Sequence, residues 1–324
     1  MADYIEVQVP WMRYEVTMPL MQGRVPIEGV KLVPSLSAPG GTTFPANSPV
    51  PSGDFGLLDM NWANLLPAIE AGWEVIGLPV FSKRKLPFTY LFCRTDSGME
   101  AARDLEGRPV LSSLGGSAVA MWAKGILQHL YGVDIESITW VLRGEERWPV
   151  HNPRWKFADL SSRKDNYDAL IDGDVDAVMT DISDGALSEK LENDSRLRRL
   201  YPNYPEQERH VFDQLGFYPP VHIVAMSAKL NREHPDLAGK LFAAFEKSKE
   251  LAHADVLNDR SSFAVLSLRE RYLEQLKTWG DLFPHGLTAN KPAIDMFVSL
   301  NYEHGAVKNQ YGYEDMFAAG TLDT

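Results

Sequence analysis

Gly115, Gly116 and Ser117 follow an apolar run and open a periodic helix in the stretch LSSLGGSAVAMWAKGIL, residues 111–127. Successive free N–H groups at a helix start, with glycines permitting close approach, hold an anion through hydrogen bonds and the helix dipole. Ser112 and Ser113 add hydroxyls, so Ser113, Gly115, Gly116 and Ser117 are candidate contacts for a carboxylate or a phosphate. No lysine follows the glycines as a P-loop requires, and G-x-G-x-x-G is missing. The plainer alternative is a strand-to-helix turn in which Ser117 is only the N-cap.

Other residues with usable chemistry are spread along the chain. In GFYPPVHIVAM, His222 alternates with apolar residues of a strand, which suits an acid, a base or an anion donor; the alternative is a satisfied core histidine. His285 stands in a Pro-His-Gly turn, where geometry alone can explain it. VLRGEERWPVHNPRW brings together Arg143, Glu145, Glu146, Arg147, His151 and Arg154, either for acid–base work or as a solvated face. His151 with Glu145 or Glu146 makes a poor metal site, since no H-x-x-H or H-x-H spacing is present. In DGDVDAVMTDISDGAL no glutamate closes a calcium loop, which leaves Thr180 and Asp181 as ligand contacts at a strand's C-terminal end. Among the basic residues of WMRYE and FSKRKLPF, Arg13 and Arg84 are the candidates for pairing with a carboxylate ligand. G-x-S-x-G, the local sign of a nucleophilic serine, is absent.

Short strand-like runs alternating with amphipathic helices must position these groups, and that alternation is the α/β signature. Strands are expected at 4–9, 30–36, 55–58, 74–80, 90–94, 109–112, 138–142, 177–180 and 221–226. Helices at 61–71 and 117–131 stop at Gly72 and Gly132, and further helices are expected at 235–257, 261–279 and 292–304. Residues 35–54, rich in proline and glycine, read as an ordered loop. A break near Gly107 and a return near Val221 imply lobe I at 1–106 and 221–324 and lobe II at 107–220, with a ligand cleft between them.

The 324 residues fit one large or two medium domains, and a net charge of −12 argues against nucleic acid as the main partner. The single cysteine, Cys93, rules out a disulfide framework or a cysteine zinc site and reads as buried. No apolar run reaches the roughly 18 residues a membrane helix needs, and the first residues lack a secretory pattern. The chain therefore reads as soluble and cytoplasmic.

DMNWANLL, IGLPVFSKR, AMWAKGILQHLYGV, GEERW, GFYPPVHIVAM and the long C-terminal stretch that begins FPHGLTANKPAIDMF together resemble the 4,5-dihydroxyphthalate decarboxylase family, in order and over nearly the whole chain. The resemblance implies the two-lobed fold of type 2 periplasmic binding proteins and an enzyme that removes CO2 from a hydroxylated aromatic acid. It implies His222 as the proton source, with Asp181 or Glu145 holding a ring hydroxyl. A second anionic group would lie on the cradle of residues 113–117 and on Arg13 or Arg84, with Asn61, Thr180 and His285 as further contacts. No organic cofactor is implied, and a divalent metal is left open. The expected partner is a small aromatic carboxylic acid, with no nucleic acid and no membrane, and self-association into a homo-oligomer is left open.

Three departures bear on the substrate: Leu86-Pro87-Phe88-Thr89 stands where the family tends to carry an Arg-His-Ser segment, Lys124 replaces an arginine, and His285 stands where tyrosine is common. They point to a ligand with one fewer carboxylate or a more apolar ring. The alternatives are a non-catalytic aromatic-acid binding protein on the same scaffold and a non-decarboxylating enzyme acting on a related acid.

Overall fold

The computed structural model describes residues 4–35, 44, 48–86, 90–112, 115–143, 146–160, 165–180, 185–258 and 265–324. Among them, no helix is long and apolar enough to cross a membrane. In chain order the strands are β1 (Ile5–Val9), β2 (Val30–Pro34), β3 (Leu57–Asn61), β4 (Val75–Gly77), β5 (Lys83–Arg84) and β6 (Leu91–Arg94). They continue with β7 (Pro109–Ser112), β8 (Thr139–Leu142), β9 (Lys156–Asp159), β10 (Ala177–Met179), β11 (Leu197–Arg199) and β12 (Pro220–Ser227). Two compact units result: Met1–Arg84 with Pro220–Ile294 and Tyr311–Thr324, and Lys85–Pro219 with Asp295–Gln310.

In the first unit β1 and β2 form a parallel pair, and β12 is the centre of a second sheet, antiparallel to β3, β4 and β5. Every residue of β12 is buried except His222, as expected of a strand covered on both faces. Val224 and Met226 join a core with Val7, Leu57 and Val80, closed by Leu241 and Phe245 of the helix Leu237–Leu257. The register sets His222 opposite Asn61 and Val224 opposite Asp59. Asp59 is thus the diagonal neighbour of His222, and such neighbours share a sheet face.

The second unit is built on a six-stranded sheet in the order β11–β6–β10–β7–β8–β9. Its strands β10, β7, β8 and β9 run parallel, while β6 is antiparallel to both β10 and β11. Phe92, Leu111, Val141, Leu170 and Val178 fill a core on this sheet. The helix Ala118–His129 follows β7 directly, with Ser117 as its N-cap.

Several expectations from the sequence differ from these units. Residues 85–106 and 295–310, expected in lobe I, lie in the second unit. The first group does so because β6 finds its partners in β10 and β11. Within the second group, the His304 ring sits 4.8 Å from that of Trp155, and Glu303 accepts a hydrogen bond from Asn152 Nδ2 at 2.9 Å. The expected strand at 55–58 extends to Asn61, because Asp59 and Asn61 alternate with apolar residues that face the core. The last long helix begins at Leu287, before Pro292, and not at the proline. Most of the loop at 35–54, namely residues 36–43 and 45–47, lies outside the described residues.

Gly56, immediately before β3, permits the close approach of β3 to β1, since a Cβ there would lie 2.2 Å from the Gln8 carbonyl oxygen. No side-chain rotation relieves a clash with backbone. Gly56→Ala is expected to lower stability by about 3 kcal/mol, read from urea denaturation, because β3 must move away from β1 to admit the methyl group.

Candidate functional site

The diagonal placement of Asp59 and His222 produces a carboxylate–imidazole pair. His222 Nδ1 lies 3.0 Å from Asp59 Oδ2 and 3.2 Å from the Tyr14 hydroxyl. Tyr14 donates its hydroxyl to Asp59 Oδ2 at 2.6 Å, and Ser82 donates to Oδ1 at 2.7 Å. The side chains of His222 and Asp59 are only 14% and 13% exposed. Burial pushes the Asp59 carboxyl up, but the hydrogen bond and charge of His222 and the hydroxyls of Tyr14 and Ser82 outweigh it and hold the carboxyl below its ordinary value. An ionised Asp59 only accepts, so Nδ1 carries a proton. Among the described residues Nε2 has no hydrogen-bond partner, which leaves it as the nitrogen available for chemistry.

Tyr14 and Ser82 also line a cavity of about 350 Å³ in the same unit. Its charged lining is Arg13, Glu15, Lys83, Arg84 and Asp281, while Leu276 and Phe283 supply apolar surface. That volume lies within the range of small-molecule pockets.

Of the residues expected to bind a ligand in this unit, Arg13 is exposed on the cavity wall and has no ion pair among the described residues. Asn61 lies beside His222 but uses its side-chain oxygen to cap the turn at Ala63. Arg84 lines the cavity yet is committed to the fold: it is 5% exposed, and its Nη2 donates to Pro284 O at 2.7 Å and to Asn290 Oδ1 at 2.5 Å. Burial pulls its guanidinium down to about 9, opposed by Asp281. Its role is to pin the turn at 284–290, a correction to the reading of Arg84 as a ligand clamp. His285 in that turn is 6% exposed, and burial, with Lys249 and Arg84 nearby, drives it well below its ordinary value. It is a neutral core histidine and not a surface contact, because the Gly286 N–H bonded to Pro79 O turns the segment inward.

In the second unit the anion over the two glycines belongs to the chain itself. Gly116 N–H donates to Glu146 Oε2 at 3.0 Å, and a Cβ on Gly116 would lie 2.9 Å from that oxygen. Lys124, fully buried, donates to Gly115 O at 2.6 Å, with its ammonium 4.9 Å and 5.4 Å from the ring centres of Trp140 and Trp155. Burial lowers Lys124 to about 8, with Glu146 opposing. Burial raises the Glu146 carboxyl, with the Gly116 N–H and Lys124 opposing. Ser117 Oγ accepts from Ala120 N at 3.3 Å as a helix cap. The cradle at Gly115, Gly116 and Ser117 is thus filled from within, a correction to its reading as open for a substrate carboxylate. Thr180 follows β10 at 6% exposure, with its N–H on Tyr90 O.

Asp181, Glu145 and Ser113 lie outside the described residues. Among the described residues no group of three or more His, Cys, Asp or Glu is arranged to hold a metal ion. Cys93 is buried and burial pushes its thiol up, as expected of a packing residue. Sequence reasoning missed Asp59 and Ser82. The signal for Asp59 was the alternation Asp-Met-Asn in DMNW, which reads as a strand face only once the segment is known to be a strand.

No family model matches the chain. It is 23% identical over 321 residues to a 4,5-dihydroxyphthalate decarboxylase of Comamonas testosteroni, covering 96% of each chain. A protein of the same description from Pseudomonas putida is 28% identical over 129 residues, 40% of this chain and 49% of that protein. Among solved structures, the chain superposes on a periplasmic sulfonate-binding protein of Methylobacillus flagellatus with a TM-score of 0.58 at 11% identity, covering 98% of this chain and 92% of that one. The fold is accordingly that of the periplasmic binding proteins, and the resemblance read from the sequence holds along the chain.

Three hydrogen bonds to one buried carboxylate make Asp59 a measurable contributor to stability. Asp59→Asn is expected to cost about 1.5–3 kcal/mol near neutral pH. Because the folded-state value is lowered, the contribution is present above the ordinary value of 3.8 and is lost as pH falls through the folded value. Urea denaturation of both proteins between pH 7 and 3 should show the difference shrinking only in the acid range.

Proposed function

We propose that the chain is a carbon–carbon lyase that decarboxylates a hydroxylated aromatic acid, with His222 supplying the proton that replaces the carboxylate. The observation that carries this reading is the Asp59–His222 pair, a buried carboxylate orienting an imidazole whose far nitrogen is uncommitted among the described residues. The two relatives described as 4,5-dihydroxyphthalate decarboxylases support the reaction class.

In the proposed step the bond between the ring carbon and the carboxylate breaks and its electron pair stays on the ring. CO2 departs, and the proton on Nε2 of the His222 imidazolium passes to that carbon. Nδ1–H remains on Asp59 throughout, so the ring keeps its orientation and leaves the step as neutral imidazole. A proton from solvent restores it, which matches the one proton consumed when an aromatic carboxylate becomes an arene and CO2. A ring hydroxyl ortho or para to the leaving group would donate electron density as the proton arrives and share the positive charge that develops on the ring, and recognition of that hydroxyl falls to acceptors near the pair.

CO2 release from hydroxylated benzoates and phthalates, with and without divalent metal, tests the class directly. His222→Gln should lower kcat by about 10²-fold or more while the dissociation constant of the same acid, from calorimetry, changes far less. Equal loss of turnover and binding would make His222 a binding or structural residue. Saturable binding with no CO2 from any acid would favour a binding protein on this scaffold.

A further inference from the structure

Arg13 and Glu15 stand on either side of Tyr14, line the cavity beside the histidine pair, and carry opposite charges that no described residue neutralises. The segment that presents them is well held. Met12 and Val16 are buried, the Tyr14 hydroxyl is bound to Asp59, and Thr17 Oγ1 donates to the carbonyls of Met12 and Tyr14, each at 3.0 Å. With those residues anchored, 13 and 15 project where the loop points them.

Two of the other charged groups of the lining have partners within the chain. Arg84 is committed to Pro284 and Asn290, and Asp281 accepts from Lys249 at 3.2 Å and from the Phe283 N–H at 2.8 Å. Glu15 differs: burial raises its carboxyl, and no counter-charge opposes that. Besides Lys83, the lining around these groups is apolar or neutral, from Val16, Leu276, Leu282 and Phe283 to the Tyr272 phenol, which burial, together with Asp281 and Glu15, keeps protonated by pushing it up to about 12.

We infer that this cavity is the recognition pocket for the non-reacting groups of a single-ring aromatic acid, with Arg13 pairing with a ring carboxylate and Glu15 accepting from a ring hydroxyl. An inorganic anion would meet the Glu15 and Asp281 carboxylates, and an unsubstituted hydrocarbon would leave Arg13 and Glu15 unanswered. A flat acid that bears a hydroxyl satisfies both and covers the apolar wall. Because Tyr14 lines the cavity and its hydroxyl holds Asp59, a ligand seated there is one residue away from the histidine pair. The assignment depends on the proposed reaction for the identity of the ligand but not for the location of the pocket.

The test is calorimetric binding of phthalate, 3,4-dihydroxybenzoate and 4,5-dihydroxyphthalate to the wild type, Arg13→Gln and Glu15→Gln, with CO2 release measured on the same preparations. Both substitutions are at exposed positions, so folding should be retained. Arg13→Gln should weaken every acid that binds by about tenfold or more. Glu15→Gln should weaken the dihydroxy acids and spare phthalate. Where CO2 is released, Arg13→Gln should raise KM more than it lowers kcat. Wild-type affinity in both variants, or unchanged KM with continued CO2 release, would overturn the pocket while leaving the reaction in place. Binding that depends on Arg13 and Glu15 without CO2 release would uphold the pocket and overturn the reaction. No binding of any of the three acids to the wild type would overturn the ligand class.

Discussion

The hydrogen bond from His222 Nδ1 to Asp59 Oδ2 is the contact around which the first unit is arranged. A carboxylate with so little exposure has lost most of its hydration, and its charged form persists only if donors replace the lost water. Three separate segments supply them: the loop after β1 brings Tyr14, β12 brings His222, and the residue before β5 brings Ser82. Hydrogen bonds tolerate little error in distance. The register of β3 on β12 and the course of two loops are therefore constrained together by one anion.

The second unit meets a similar demand with the opposite result. Glu146 sits over the N–H of Gly116, and Lys124 is buried against two tryptophan rings with its ammonium on Gly115 O. The Gly116 N–H ahead of the helix Ala118–His129 is thereby answered from inside the chain, as the Ala120 N–H is by Ser117 Oγ. In the first unit His222 Nε2, Arg13 and Glu15 keep capacity that no described residue takes up. The chemical potential of a site follows from which polar groups lack an internal partner, more than from which types are present. Arg84 makes the same point: it lines the cavity, yet its Nη2 is spent on holding a turn.

Tyr14 joins the two halves of the first unit's chemistry. Its hydroxyl belongs to the buried carboxylate, and the residue itself lines the cavity. The neighbours on either side in sequence, Arg13 and Glu15, are left exposed while Met12 and Val16 are drawn into the core. The short segment from Met12 to Val16 thus positions both an internal hydrogen bond and a pair of opposite charges. The fold alone requires neither, since it is shared with a chain that is described as a sulfonate-binding protein.

Much of this was legible in the order of residues. Alternating short apolar runs and capped helices gave the α/β class, and Gly72 and Gly132 do adopt the left-handed backbone that stops a helix. Ser117 is the N-cap that its position before AVAMWAKG suggested, and His222 is the one residue of β12 that is not fully buried. These are local features, written in the spacing of neighbouring side chains. The partner of His222 lies 163 residues away, and the anion on Gly116 lies 30 residues away. The sequence by itself determined the elements and the types of group they carry. Only the tertiary structure decided that Asp59 rather than Asn61 meets the histidine's Nδ1, that Glu146 closes the glycine cradle, and that Arg84 is buried. Register, loop course and desolvation are set by contacts between distant segments, which no local period records.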